Sequence, residues 1–171
     1  MAMSDDLFQQ AERLAAVTQK VGFTLWQIQE LEGCAAQYFV LLAQATPRMG
    51  LDAGNALVDK ALGKTFGQTI HQLAKAGLLS AELEQRFTSL LGERNWLVHK
   101  SRRESRDAIY SDSAMMRLIN RLEAMEEESR ALLRQIGGLT EKHVLGVGIT
   151  PRQVDEITAR LLEQWHTGNE I

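Results

Sequence analysis

The sequence predicts an all-α protein, a helical bundle with an additional C-terminal helix, and three observations carry that expectation. Only two prolines occur in 171 residues and aromatic side chains make up 6%, so long stretches are free of helix breakers and poor in strand-favouring residues. Apolar residues recur at spacings of three and four through most of the chain, which is the period of an α-helix. Ser, Thr and Asp stand where these stretches begin, able to accept the free N–H groups of a first helical turn. A chain of this length buries a real core in one domain without metals or disulfides.

Ser4, followed by Asp5 and Asp6, is read as the cap of a first helix that reaches about Lys20. Gly22 is expected to interrupt it. Leu25, Ile28, Ala35, Phe39 and Leu42 then predict a long core helix through Ala45, stopping before Pro47. A loop is predicted from Arg48 to Gly54, then short helices over Asn55 to Leu62 and Phe66 to Lys75, with Gly63, Gly67 and Gly77 as punctuation. Ser80 caps the next helix, Glu82 and Glu84 favour its positive end, and the pattern predicts that it runs to about Arg106.

Ser111-Asp112-Ser113 opens another helix, in which Met115, Leu118, Leu122, Met125, Leu132 and Ile136 form a bundle seam broken only at Ser129. Gly137, Gly138, Gly146 and Gly148 predict a flexible or turn-rich connection over 137–149, and Thr150-Pro151 starts a last amphipathic helix carrying Val154, Ile157 and Leu161. The expected organisation is therefore a single helical domain: a bundle over 1–136, the glycine-rich connection, and a helix over 150–171. That helix has the pattern to dock on the bundle or on a partner.

A formal charge of −3 offers no overall basic surface, so any attraction to nucleic acid has to come from a local cluster. The lone Cys34 excludes an internal disulfide and a cysteine-rich zinc site. No apolar run approaches the roughly 18 residues needed to span a bilayer, and the first residues are acidic where a signal peptide is basic. A soluble, unprocessed protein in a reducing cytoplasm is the expectation, with no membrane partner and no cofactor.

One segment breaks the helical pattern. Counted at about 100° per residue from Leu83, the positions Phe87, Leu90, Arg94, Leu97 and Val98 share an arc, with Arg94 near its middle. A guanidinium keeps its proton, so at a buried site it needs an anion or hydrogen-bond acceptors. Another chain or an RNA phosphate meets that need, and so does a buried carboxylate or the carbonyl end of a neighbouring helix. On the predicted helix, Asn95, His99, Arg102 and Arg106 form a second arc beside the first. An imidazole flanked by an amide and two cations suits phosphodiester chemistry without a metal: a neutral base remains available while the cations hold a phosphate oxygen. Lys100, Arg102, Arg103 and Arg106 would track an RNA backbone or form a solvated face balanced by Glu104 and Asp107.

The run Arg94-Asn95-x-x-x-His99 resembles the Arg-polar-x3-His motif of HEPN domains, the higher eukaryotes and prokaryotes nucleotide-binding family. The likeness is specific over about six residues and compatible in general form from Ser4 to Ile136. It implies an antiparallel helical bundle that dimerises and places the Arg and His of two copies in one cleft. It also implies a metal-independent endoribonuclease in which the 2′-hydroxyl attacks the adjacent phosphate, of the kind found in phage defence, toxin–antitoxin systems and RNA processing. Carried over, Arg94 stabilises the charged phosphorane, His99 moves a proton or orients the reacting groups, and Asn95 holds His99 or the phosphate. Two other readings stay open. One is a noncatalytic module that binds a nucleotide, an RNA or a protein such as a nucleotidyltransferase-type antitoxin; the other is a helical protein with no site.

Other candidates carry less. Arg160 and His166 repeat the spacing loosely, but Leu161 follows where the family has a polar residue. Gly63-Lys64-Thr65 matches the end of a phosphate-binding loop but lacks its first glycine, since Val58 stands there, and no strand precedes it. His71 and His143 have no companion at metal-ligand spacing. Trp26 and Trp165 are expected in the core or at a docking surface. Trp96 lies off the apolar arc, which suits a dimer contact, base stacking or packing against another helix of the same chain.

Overall fold

A computed structural model describes residues 2–46 and 48–168, with side chains from Asp5 onward. Pro47, at the expected end of the second helix, lies outside the described residues. Helices α1 (Ala2–Ala43), α2 (Leu51–Leu62), α3 (Phe66–Lys75), α4 (Ala81–His99), α5 (Ser101–Glu104), α6 (Asp112–Gly146) and α7 (Pro151–Thr167) follow in order, with a 3-10 turn over Arg106–Ile109. No strand occurs among the described residues, and the chain is an all-α helical bundle.

The first correction is that α1 is a single helix. Gly22 does not interrupt it, and the backbone is already helical before Ser4, which is therefore not its cap. One glycine in a helix interior costs roughly 1 kcal/mol, too little to break a helix anchored on both sides. Downstream, Ile28, Leu31, Ala35 and Ala36 are almost completely buried. Upstream, Arg13 bonds Asp112 and Lys20 bonds Glu126. The long helix also ends earlier than expected, at Ala43.

The loop expected over Arg48 to Gly54 is shorter too, because α2 begins at Leu51 behind Gly50. Its Leu57, Val58 and Ala61 pack against Ala36 and Val40 of α1, and that burial organises the helix. The start and end of α3 follow the sequence. Thr65 makes a capping box with Gln68, and Gly77 at φ 69° closes the C-terminus, with the Leu78 N–H donating to the Leu73 carbonyl. Gly63-Lys64-Thr65 is thereby accounted for as a helix junction.

Cross-helix pairs set the directions. Arg13 with Asp112 and Lys20 with Glu126 run α1 and α6 the same way, whereas Arg86 with Glu128 and Glu93 with Arg121 run α4 against α6. The fully buried core is made by Ile28 and Leu31 of α1, Leu73 of α3, Leu83 and Phe87 of α4, and Leu122 and Leu132 of α6. Phe66 meets Phe87 edge-on at 6.0 Å between ring centres. The bundle seam on α6 includes its one irregular position: Ser129 is buried, with its hydroxyl donating to the Met125 carbonyl at 2.8 Å.

Compact units run from Met1 to Ile136 and from Gly137 to Ile171. In the second, the expected glycine-rich connection is largely helix, since α6 continues through Gly137 and Gly138 to Gly146. Glycine lowers helix propensity without forbidding the helix, and the residue that turns the chain is Gly148 at φ 94°. Thr150 and Gln153 then form the capping box of α7, with Pro151 at its first position. No residue of α7 is buried. Trp165, expected in the core or at a docking surface, is 72% exposed.

Candidate functional site

The helix that carries Arg94, Asn95 and His99 stops at His99, not at Arg106. Lys100 leaves helical geometry at φ −128° and ψ −25°, and the chain reforms as the short α5 and the 3-10 turn. A contact eight residues apart shows why the break is stable. The Trp96 indole Nε1 donates to Glu104 Oε2 at 2.8 Å, whereas an unbroken helix would separate the two residues by about 12 Å along its axis. The turn also places Ala108 in the core at 1% exposure.

This corrects the second arc of the sequence reading. Asn95 and His99 remain neighbours on one helix face at i and i+4, both exposed, but Arg102 and Arg106 lie beyond the break and do not continue that face. The basic cluster is also divided. Arg103 pairs with Glu104, while Asp107 pairs with Arg117 of α6 and not with the cluster. Among the described residues, Lys100, Arg102 and Arg106 are exposed and make no ion pair. The Glu104 carboxyl is held below the usual carboxylate range, first by the Trp96 indole N–H and then by Arg103 and Lys100.

Arg94 is half-buried, and its partner is Glu32 of α1, with Nε donating to Oε1 at 3.0 Å. A carboxylate of the same chain thus provides the anion that the apolar arc demands. The contact differs from the other arginine pairs between helices. Arg13 with Asp112, Arg86 with Glu128 and Arg121 with Glu93 each use Nε together with a terminal nitrogen. Arg94 uses Nε alone. Its two terminal NH₂ groups hold no hydrogen bond among the described residues, so four of the five guanidinium N–H donors remain for an incoming acceptor.

Trp96 is only 8% exposed. Besides its bond to Glu104, its ring is covered by Arg121, whose guanidinium carbon lies 3.3 Å from the ring centre. It therefore packs within its own chain and has no face free for a base or a second copy. Trp26, expected in the core or at a docking surface, is 76% exposed on α1. His71 is exposed and His143 is half-exposed. Among the described residues, no group of three or more His, Cys, Asp or Glu converges as metal ligands, and no helix is long and apolar enough to cross a membrane.

Sequence reasoning missed Glu32, although a signal was present. It lies four residues after Ile28 and four before Ala36, on the apolar stripe of α1, so it interrupts its stripe as Arg94 interrupts that of α4. The roles of Glu104 and Arg121 had no such signal. A separate groove of about 600 Å³ lies between α4 and α6, lined by Glu82, Arg86, Glu93, Arg121 and Glu128 among others, and not by Arg94, Asn95 or His99. No family model, curated protein or solved structure matches this chain.

Proposed function

We propose that this chain is a HEPN-like metal-independent endoribonuclease, active as a homodimer in which Arg94, Asn95 and His99 of two copies share a cleft. The observation that supports it is the single-nitrogen tether of Arg94, which leaves its terminal donors without a hydrogen bond among the described residues, on the helix that also carries exposed Asn95 and His99. A guanidinium fork matches two phosphate oxygens at once. In this reading the RNA 2′-oxygen bonds to the adjacent phosphorus and the bond to the 5′-oxygen breaks. His99 moves the proton released by the 2′-hydroxyl, and a proton ends on the departing 5′-oxygen. Arg94 stabilises the negative charge that builds on the phosphorane. Lys100, Arg102 and Arg106 supply backbone attraction outside the cleft. The resemblance adds a role in phage defence or a toxin–antitoxin system, and the lone Cys34 fits a cytoplasmic setting.

A second reading is a noncatalytic HEPN-like module that binds a nucleotide, an RNA or a protein such as a nucleotidyltransferase-type antitoxin. Two observations favour it: the charge of Arg94 is already opposed by Glu32, and the groove between α4 and α6 excludes all three motif residues. Incubation of the purified chain with labelled RNA in excess chelator separates the readings. The first expects fragments ending in a cyclic phosphate and a 5′-hydroxyl, lost in His99→Ala. The second expects binding without cleavage, weakened by Arg94→Ala. A monomer at micromolar concentration by light scattering rules out the shared cleft.

A further inference from the structure

We infer that Glu32 is a positioning residue, which holds Arg94 by Nε so that the two terminal NH₂ groups face the phosphate. The inference rests on the reading that Arg94 meets an RNA phosphate. Three features of the pair carry it. The carboxylate takes only the Nε–H, the one donor not needed to grip a phosphate from the end of the fork. Glu32 is mounted where α1 is most firmly packed, beside Leu31 at 0% exposure and within one turn of Ile28 and Ala35, also at 0%, so its carboxylate has a rigid base. Arg94 and Glu32 are also neither sealed nor free, at 26% and 22% side-chain exposure. The pair is thus partly removed from water, and the terminal nitrogens of Arg94 hold no hydrogen bond among the described residues.

Without this tether, Arg94 is a long side chain with several rotatable bonds, and the ordering cost falls on the reaction. The carboxylate does not touch substrate in this scheme. It acts through the direction in which it points the arginine.

The pair of variants that tests this separates position from charge. Glu32→Gln keeps an oxygen acceptor at the same reach and removes the charge, whereas Glu32→Asp keeps the charge and falls one methylene short. Each variant is assayed with a labelled RNA oligonucleotide in chelator, alongside its melting temperature. The expected order of kcat is wild type, then Glu32→Gln, then Glu32→Asp. Glu32→Asp should fall by on the order of 10- to 100-fold, the usual effect of a misplaced group, with KM moving far less. Glu32→Gln should stay within about tenfold of wild type on the same scale.

An order with Glu32→Asp above Glu32→Gln makes the carboxylate a charge partner and overturns the inference. So does equal activity in all three proteins, or a gain of activity in either variant, which would make Glu32 a mask over Arg94. Melting temperatures reduced alike in both variants, with kcat unchanged, reduce the pair to a structural bridge. An inert wild type overturns the nuclease reading and this inference with it, and is distinguishable because the variants then have no activity to compare.

Discussion

Glu104 accepts a 2.8 Å hydrogen bond from the indole of Trp96, eight residues before it. That bond closes the turn after α4 and, with Arg103 and Lys100, favours the charged form of the carboxyl. The folded protein therefore binds this proton less readily than the unfolded chain. The stabilisation is whole above the ordinary value of 4.5 and is lost as pH falls through the lowered folded value. Trp96→Phe keeps most of the ring and removes the donor. Carboxyl-selective NMR titration should show the Glu104 midpoint moving up in that variant, and an unmoved midpoint contradicts the assigned cause.

Gly22→Ala should stabilise the protein. The position is inside α1, and a Cβ there meets nothing within 4 Å, so the substitution gains helix propensity without a clash. Urea denaturation should register about 0.5 to 1 kcal/mol. A loss of stability would mean that the glycine serves a close contact on that face.

The buried Glu126 carboxylate depends on neighbours across the bundle. Thr24 Oγ1 donates to it at 2.7 Å and Lys20 Nζ at 2.9 Å, with Glu126 only 3% exposed. Thr24→Val removes one of these donors at nearly constant shape. It should cost about 1 to 3 kcal/mol by chemical denaturation, the price of leaving a buried acceptor short of a partner. No measurable cost would show that water reaches the site.

Structure and function separate most cleanly at Arg94 and Glu32. The single variant Arg94→Leu leaves Glu32 half-buried and unpaired and should destabilise the bundle. The double variant with Glu32→Leu replaces both charges with apolar groups and should recover or exceed wild-type stability. Under the proposed function both proteins lose RNA cleavage. A stable double variant with full activity would remove Arg94 from the chemistry.

His99→Ala should leave the melting temperature nearly unchanged, because the side chain is exposed at the end of α4, where substitutions usually fall within about 0.5 kcal/mol. The same variant should lose RNA cleavage in chelator. Unfolding would instead make the histidine structural.

Local periodicity and capping chemistry settled the all-α class, the bounds of α3, and the starts of α4, α6 and α7 at Ser80, Ser111 and Thr150. Those signals act within one or two turns and need no distant partner. The same reasoning singled out Arg94 as a cation in an apolar stripe and included a buried carboxylate among its possible partners. Tertiary structure decided the rest. Gly22 stays helical because a propensity cost of about 1 kcal/mol is small beside the packing and cross-helix bonds that α1 gains. The helix after Arg94 ends at His99, where the Trp96–Glu104 bond forms only when the chain turns back. Which acid answers Arg94 depended on α1 crossing α4, a contact between residues 62 positions apart that no local pattern encodes.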